Sequence, residues 1–480
     1  MSARLVVAGT HSGVGKTTVA TGLLGAFAAR GRTVAGFKVG PDFIDPSYHA
    51  LASGRPGRNL DSFLSGPDLI APLFAYGAAG ADLAVVEGVM GLFDGARGGG
   101  ELASTAQVAK LLRAPVLLVV DCSAMARSVA ALVHGFATFD PEVWLAGVVL
   151  NRVASERHEE LLREALEPLG VPVLGVLRRG DDLATPARHL GLVPVAERQA
   201  EAGRTVAALA ATVAAACDLD AIAAVGATAP ALRAEAWEPG AGAGGVTPGE
   251  CPGGSGPGGS SRRVGHPVRV AVASGPAFTF VYQENLELLE ANGAELVAVD
   301  PTVDERLPEG TAALYLGGGF PETYAAALSA NVPLRRAVRR FATGGRPVVA
   351  ECGGLLYLAR GLDGLPMCGV LQADGRMTGR LTLGYRQASA VSPSPLADLG
   401  RTVRGHEFHY ARLEPERGDH PAWMLGDPQG GAHPSPSGSL RGGRPEGFVA
   451  GGVHASFLHT HWVAFPDVPA RLVAAAGVGA

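Results

Sequence analysis

Short apolar runs alternate with longer stretches of helical periodicity in both halves of the chain. This alternation is typical of domains built on parallel sheets with helices between the strands. In the first half the predicted strands are residues 5–8, 33–37, 83–86, 116–120, 146–150 and 173–176. In the second half they are residues 268–273, 295–299, 313–316, 347–350 and 448–453. The Ala-rich stretch from Thr205 to Cys217 predicts a buried helix, because it falls short of the ~18 apolar residues that cross a membrane.

One break in composition divides the pattern. Residues 238–266 are mostly Gly, Pro and Ser with almost nothing to bury, which predicts a flexible linker. The predicted domains are therefore residues 1–237 and 267–480, both of the α/β class. A second biased segment, residues 427–444, predicts a surface insertion in the second domain.

Composition narrows the kind of partner. The 480 residues are 47% apolar and carry 40 Lys and Arg against 45 Asp and Glu, a formal net charge of −5. A protein that neutralises a phosphate backbone needs a basic excess, so nucleic acid is not an expected partner. A membrane is not expected either, because no apolar stretch is long enough to span one. The predicted strand at residues 5–8 leaves no room for a signal peptide, and the five cysteines form no CxxC pair. These features predict a cytoplasmic, reduced protein.

A phosphate-binding loop is predicted at residues 9–18, between the first strand and an amphipathic helix. Backbone N–H groups of such a loop point at phosphate, Lys16 would reach the β- and γ-phosphates of ATP, and the Thr17 hydroxyl would help to hold Mg²⁺. Thr10 stands where the strict pattern has Gly, so the loop is a variant. The residues expected to bind the nucleotide are Gly13, Gly15, Lys16, Thr17 and Thr18, together with Asn151 for the adenine edge.

Acids near this loop would hold the metal and steer the acceptor. Glu87 ends a predicted strand and should face the ligand crevice, where it joins Thr17 as a candidate metal ligand. Asp94 lies seven residues further on, and Asp42 and Asp45 follow the second predicted strand. For these acids, and for Asn151, the alternative role is to cap turns and helices.

A reactive thiol is predicted at Cys352, where a strand, a sharp turn and a helix meet. This setting exposes a nucleophile and, at a helix N-terminus, favours thiolate. Gly353 and the glycines Gly318 and Gly319 offer backbone N–H groups for an oxyanion hole. A distant histidine, His459 or His461, would supply the base. The alternative is a structural buried cysteine.

Three further motifs make a family resemblance plain. Residues 37–46 (FKVGPDFIDP), 87–95 (EGVMGLFDG) and 405–410 (GHEFHY) resemble the cobyrinate/hydrogenobyrinate a,c-diamide synthase family of cobalamin biosynthesis. The resemblance implies an N-terminal P-loop domain similar to dethiobiotin synthetase, whose loop also starts with Thr. It implies a C-terminal domain of the class I glutamine amidotransferase type. Cobyric acid synthases share this architecture but not the first two motifs.

The resemblance also implies roles for individual residues. Cys352 would be the glutaminase nucleophile and His459 its base. Asp42, Glu87 and Asp94 are candidate catalytic acids of the first domain because of their predicted place near the phosphate loop. Related triads carry Glu two residues after the base, but here that residue is His461, so a Cys–His dyad is expected and His459 is favoured over His461. Glu407 and His409 would shape the glutamine pocket or serve the fold.

The implied reaction makes amides from the a and c acetate side chains of a corrinoid. ATP, with Mg²⁺, would convert each carboxylate into an acyl phosphate, and glutamine would supply ammonia through a thioester at Cys352. The implied acceptor is a corrinoid acid, with metal-free hydrogenobyrinate favoured over cobyrinate, and a homodimer is compatible with the sequence. The alternatives are a sister amidoligase such as a cobyric acid synthase and a partitioning-type P-loop ATPase.

Overall fold

The computed structural model contains two compact units, Met1–Trp237 and Glu238–Ala480. The structure describes residues 3–180, 187–188, 191–192, 195, 199–240, 267–426 and 443–477. Most of the predicted linker (241–266) and of the predicted insertion (427–442) therefore lies outside the described residues.

A parallel sheet of seven strands forms the centre of the described part of the first unit. Its strands are β1 (Ala3–Gly9), β2 (Val34–Val39), β3 (Arg58–Leu60), β4 (Leu83–Glu87), β5 (Val116–Asp121), β6 (Leu145–Val153) and β7 (Val173–Arg178). Their order across the sheet is β3-β2-β4-β1-β5-β6-β7. A two-stranded hairpin, β8 (Ala187–Arg188) with β9 (Gly191–Leu192), follows. Six predicted strands are confirmed; β3 was not predicted.

Helices connect these strands, as the predicted α/β class requires. They are α1 (Lys16–Ala29), α2 (Asp45–Ser53), α3 (Ile70–Gly77), α4 (Thr105–Leu112), α5 (Ser128–Thr138), α6 (Glu156–Leu166), α7 (Gln199–Ala216) and α8 (Leu219–Ala227). The predicted Ala-rich helix is the C-terminal part of α7. The helices α7 and α1 pack closely: a Cβ added to Gly22 of α1 would lie only 2.4 Å from Val213 Cγ2 of α7.

The described part of the second unit contains two sheets, one of six strands and one of seven. Its strands are β10 (Val268–Ala273), β11 (Ala294–Val299), β12 (Ala313–Leu316), β13 (Val348–Glu351), β14 (Gly361–Leu362), β15 (Leu365–Pro366), β16 (Asp374–Ala390), β17 (Thr402–Glu414), β18 (Trp423–Gly426), β19 (Arg444–Glu446), β20 (Phe448–Ala450), β21 (Val453–Ser456) and β22 (His459–Thr460). Its helices are α9 (Gln283–Ala291), α10 (Ala325–Ala330), α11 (Val332–Thr343), α12 (Gly353–Leu358) and α13 (Asp467–Gly477).

The first of these sheets has the order β11-β10-β12-β13-β21-β20 and is parallel except for its last pair. The single strand predicted over residues 448–453 is wrong. Residues 448–456 form a hairpin instead, because the chain turns at Gly451 (φ 58°) and Gly452. A Cβ on Gly452 would lie 2.6 Å from Arg346 O, so only glycine fits there.

The other sheet has the order β15-β14-β16-β17-β22, with β18 paired to β16 and β19 paired to β18. It was not predicted. Its long pair β16–β17 is antiparallel, and β17 pairs with β22 so that His406 stands opposite His459. This pairing brings the motif of residues 405–410 beside β22.

No helix in the described ranges is long and apolar enough to span a membrane.

Candidate active sites

The loop between β1 and α1 has the conformation that binds phosphate. Gly15 precedes α1 with φ 100° and no side chain caps the helix, so the N–H groups of its first turn face outwards to a ligand. Lys16 Nζ donates to His11 O at 3.1 Å and to Met90 O at 2.5 Å. Burial, followed by the nearby charge of Lys38, lowers the pKa of Lys16 to about 8. Thr18 lies half-buried in the first turn of α1.

Asn151 holds this loop from the end of β6. Its Nδ2 donates to Val14 O at 2.8 Å, and a Cβ on Gly15 would lie 2.3 Å from that nitrogen. The neighbouring Arg152, with φ 60°, donates to Gly13 O at 3.0 Å and pairs with Asp121. Asn151 therefore supports the phosphate loop directly, which the sequence did not predict.

A buried cluster of charges lies beside Thr17. Glu87 Oε1 accepts from Thr17 Oγ1 at 2.6 Å and from Lys38 Nζ at 2.8 Å. Lys38 Nζ also lies 2.6 Å from Asp45 Oδ2, and His49 Nε2 lies 2.7 Å from Glu87 Oε2. Lys38 and Glu87 are register partners on the neighbouring strands β2 and β4. Lys38 and His49 were not predicted as site residues. For Lys38 the sequence did contain a signal, because it is the one charged residue in the otherwise apolar strand β2.

The charges of this cluster balance one another. Burial opposes the ionisation of Glu87, but the charge of Lys38 and the hydrogen bond from His49 outweigh it and hold the pKa of Glu87 well below its usual range. Burial also opposes protonation of Lys38, but Asp45 and Glu87 raise its pKa above the ordinary value. Burial, with Asp42 and Glu87 close by, raises the pKa of Asp45.

This cluster fits the donor set of a Mg²⁺ site. Thr17 Oγ1 lies 2.6 Å from Glu87 Oε1 and 3.4 Å from Asp45 Oδ2, so three hard oxygen donors converge. Among the residues that the structure describes, no three His, Cys, Asp or Glu side chains form a metal cluster. Mg²⁺ takes one or two carboxylates and completes its shell with phosphate and water, and Glu87 and Asp45 would be those carboxylates.

The two other predicted acids shape loops around the phosphate site. Asp42 Oδ1 accepts from the N–H groups of Ile44 at 2.7 Å and Asp45 at 2.9 Å, at the start of α2. Asp94 Oδ2 accepts from Gly91 N–H at 2.9 Å, beside the loop that holds Lys16. Both carboxylates make capping contacts, which is the alternative role that the sequence predicted for them. Asp42 makes these contacts through Oδ1 alone and Asp94 through Oδ2 alone.

The thiol site has a strained backbone at its centre. Cys352, between β13 and α12, has φ 47° and ψ −97°, a conformation that residues with a side chain rarely adopt. Its N–H donates to Ser456 O at 2.8 Å, and its Sγ lies 4.0 Å from Phe408 O. Burial, followed by the charge of Glu322, raises the pKa of Cys352 above its ordinary value. The expected thiolate is therefore not the resting form, and the thiol needs a base.

Gly319 and Gly353 meet beside this cysteine. A Cβ on Gly353 would lie 3.0 Å from Gly319 N, so the two backbones touch. The N–H of Gly318 donates to Phe280 O at 3.0 Å instead. This contact is a correction to the predicted oxyanion hole, because the Gly318 N–H already has a partner; Gly319 and Gly353 stay the candidate donors.

His459 lies against the same glycine loop. A Cβ on Gly318 would be 2.4 Å from its Cε1. Burial, followed by the charge of His409, lowers the pKa of His459 to about 3, so its imidazole is neutral in the resting site. His461 points elsewhere: its Nε2 lies 3.5 Å from Glu284 Oε2, and its ring packs on Tyr282. This geometry favours His459 over His461 as the base.

Two buried glutamates that the sequence did not single out fix this site. Glu351 Oε1 accepts from the N–H of Thr460 at 3.1 Å and from its hydroxyl at 2.7 Å, which ties the residue before Cys352 to the residue after His459. Glu446 accepts from the Ser456 hydroxyl and from Phe457 N–H. Burial raises the pKa of each carboxyl to about 7.

Glu407 is a buried anion held by cations. Arg386 Nε donates to its Oε2 at 2.7 Å, Arg444 pairs with Oε1, and His409 Nε2 lies 3.7 Å away. Burial opposes ionisation, but His409 and the two arginines outweigh it and lower the pKa of Glu407 to about 2. His409 itself stacks on Phe457 with ring centroids 3.9 Å apart.

Comparison with known proteins places both units. Residues 5–193 match a CobQ/CobB/MinD/ParA nucleotide binding domain, and residues 269–466 match a CobB/CobQ-like glutamine amidotransferase domain. The chain is 58% identical to the hydrogenobyrinate a,c-diamide synthase of Streptomyces coelicolor, over 98% of this chain and 96% of that protein. It is 51% identical to the enzyme of the same name from Thermobifida fusca, with the same coverage. It is 42% identical to the cobyrinate a,c-diamide synthase of a Synechococcus strain, over 95% of each chain.

Proposed function

The chain belongs to the family of hydrogenobyrinate and cobyrinate a,c-diamide synthases, and from that premise we propose that it converts the a and c carboxylates of a corrinoid acid into amides. ATP activates each carboxylate and glutamine supplies the nitrogen, so the enzyme is a glutamine-hydrolysing carbon–nitrogen ligase of cobalamin biosynthesis. The observation that carries this proposal is the strained Cys352, set against a glycine loop and His459, in a chain that also has a phosphate-binding loop.

In the first unit a carboxylate of the corrinoid attacks the γ-phosphorus of ATP, and the bond between that phosphorus and the β–γ bridging oxygen breaks to release ADP. The product is an acyl phosphate, which is a good electrophile where the carboxylate was a poor one. Lys16 and the N–H groups at the start of α1 stabilise the charge on the phosphates. Thr17, Glu87 and Asp45 would hold Mg²⁺, which neutralises phosphate charge when bound.

In the second unit His459 takes the proton of the Cys352 thiol, and the sulfur attacks the side-chain amide of glutamine. The tetrahedral oxyanion is stabilised by the N–H groups of Gly319 and Gly353. Ammonia leaves with the proton that His459 returns, and water then hydrolyses the thioester to glutamate. The ammonia displaces phosphate from the acyl phosphate, and the new bond is the amide.

Replacement of Cys352 by Ser tests this division of labour. The variant should lose glutamine-driven amidation by at least about 100-fold, because the nucleophile is gone, while added ammonium salt still drives the reaction. Mass spectrometry of the corrinoid counts the amides formed. Cys368→Ser is the matched control, since Cys368 is also buried but lies outside the site. Loss of both activities in Cys352→Ser, or of neither, would contradict the proposal.

We favour hydrogenobyrinate, the metal-free ring, as the acceptor. The relatives at 58% and 51% identity are named for that ring, whereas the cyanobacterial relative at 42% is named for cobyrinate. The ratio of kcat/KM for the two acids, measured with the same enzyme preparation, tests the preference. A higher value for cobyrinate would reverse it.

The setting follows from the substrates. ATP, glutamine and corrinoid acids are small molecules of the cytoplasm, which is where we place the enzyme. We expect no nucleic acid partner, and sedimentation would decide whether the active form is a homodimer.

A further inference from the structure

The family motif of residues 405–410 lies on β17, and the reaction described above uses none of its side chains. One of them nevertheless reaches the glutaminase site. His406 is the register partner of His459 across the antiparallel pair β17–β22, so both side chains project from the same face. Gly405 allows the close approach, because a Cβ there would lie 2.5 Å from His459 O.

The two imidazoles form a stack. Their ring centroids are 4.9 Å apart and their planes differ by only 11°. Tyr282 fixes the His406 ring, since the Tyr282 hydroxyl lies 2.9 Å from His406 Nε2. All three side chains are at most 2% exposed, so no water competes for these contacts. Burial, followed by the charge of His459, lowers the pKa of His406 well below its ordinary value, so two neutral rings lie face to face without repulsion.

The base of a cysteine nucleophile must be held in one orientation. In related triads an acid two residues after the base does this, but that position is His461 in this chain. The buried acid Glu284 lies 3.5 Å from His461, whose ring packs on Tyr282. The His406 ring, stacked parallel to the His459 ring, restricts the tilt of the His459 imidazole. It would thus orient the base through the face of the ring, whereas an acid does so through a hydrogen bond at the ring edge.

We propose that His406 and Tyr282 are positioning residues of the glutaminase: His406 holds the His459 ring by stacking, and Tyr282 holds His406. This inference rests on the proposed role of Cys352 and His459. Small losses of orientation at a reacting group are costly, because a displacement of about 1 Å can reduce a rate by about 100-fold.

The test compares variants that keep a flat ring with one that removes it. His406→Ala should lower kcat for glutamine hydrolysis by about 100-fold with little change in KM, because the pocket is intact and only the base is loose. His406→Phe keeps a stacked ring but loses the hydrogen bond to Tyr282, and Tyr282→Phe loses the same hydrogen bond. Both variants should therefore lower kcat by only about fivefold to tenfold, well short of the loss in His406→Ala. Amidation driven by ammonium salt should be unchanged in all three.

Each result bears on the inference. If His406→Ala retains native kcat, or if the change appears in KM, the stack does not position the base and the inference is wrong. If His406→Ala fails to fold, His406→Phe still decides, because it keeps the stacked ring and a loss of about 100-fold in this variant would contradict stacking. Cys352→Ser in parallel separates the two claims: persistent glutamine-driven amidation in that variant overturns the proposed function itself.

Discussion

At the scale of single residues, Cys352 shows how the fold places a reactive atom at a cost. Its φ of 47° with ψ −97° is available to glycine but strained for a residue with Cβ. Cys352→Gly should therefore be more stable than Cys352→Ala, by about 1–3 kcal/mol of unfolding free energy. Urea unfolding of the two variants measures the difference.

Cys368 provides the control for this comparison. It is equally buried but is not among the residues with positive φ. There Gly should be less stable than Ala, by about 0.5–1 kcal/mol, because glycine gains only freedom in the unfolded chain. The same order of stability at both positions would show that Cys352 stores no strain.

Glu446 and Glu407 differ in the ionisation that the fold imposes. Burial raises the pKa of Glu446 to about 7 from an ordinary 4.5, so folding favours its protonated form. Its contribution to stability is complete below pH 4.5 and is lost as the pH rises through 7. Glu446→Gln removes this loss, and we expect the variant to gain about 2–3 kcal/mol relative to the native protein between pH 5 and pH 8.

Glu407→Gln is the control, because the pKa of Glu407 is about 2 and its carboxylate stays ionised throughout that range. It should be destabilised by the same amount at pH 5 and pH 8, since the arginines lose their partner at both. Calorimetric unfolding of both variants across the range provides the comparison. A pH-independent difference for Glu446→Gln would refute the assignment.

At the scale of elements, the pair Lys38–Glu87 links β2 to β4 inside the first sheet. Both side chains are at most 5% exposed, and Asp45 and His49 complete the cluster. Lys38→Met should lower the unfolding free energy by about 3–5 kcal/mol, because it leaves two acids buried without their cation. The double variant Lys38→Met/Glu87→Gln should recover part of this loss.

Lys110→Met is a suitable control for that experiment. Lys110 also pairs with acids, namely Glu101, Asp140 and Glu142, but two of the three, Glu101 and Glu142, lie largely in water. Its replacement should cost at most about 1 kcal/mol. If Lys38→Met is no more destabilising than Lys110→Met, the buried cluster does not stabilise the first unit.

The parallel sheets could be predicted from sequence because both of their faces are buried, so each strand is a continuous apolar run. The edge strand β3 could not, since two of its three residues, Arg58 and Asn59, are polar and their burial depends on distant contacts. The long pair β16–β17 was missed for a related reason. Much of β16 is only partly buried and carries charged residues without clean alternation.

The sites divide in the same way. Lys16, Thr17, Glu87 and Cys352 were proposed as site residues because each stands at a strand end or in a glycine-rich turn. His459 was preferred over His461 through the family resemblance. Lys38, Glu351 and His406 were not assigned roles, because each acts through a partner on another strand. Sequence spacing contains no sign of which strands are neighbours, so the supporting contacts appear only with the sheet order.

At the scale of the whole molecule, one chain carries two chemistries that are joined only by ammonia. Lys16→Ala should lower the rate of amidation by at least about 100-fold, both with glutamine and with ammonium salt. The reason is that the acyl phosphate, which both nitrogen sources need, is no longer formed. The same variant should still react with a diazo-ketone analogue of glutamine at Cys352, since that reaction needs only the thiol, its base and the oxyanion donors. Mass spectrometry measures both the corrinoid product and the adduct on the protein.

Cys352→Ser should give the opposite result, with no adduct on the protein and with unchanged amidation from ammonium salt. An adduct that disappears in Lys16→Ala would mean that the glutaminase cannot be assembled without an intact phosphate loop, and amidation that survives in that variant with ammonia would mean that the activated acid is made elsewhere.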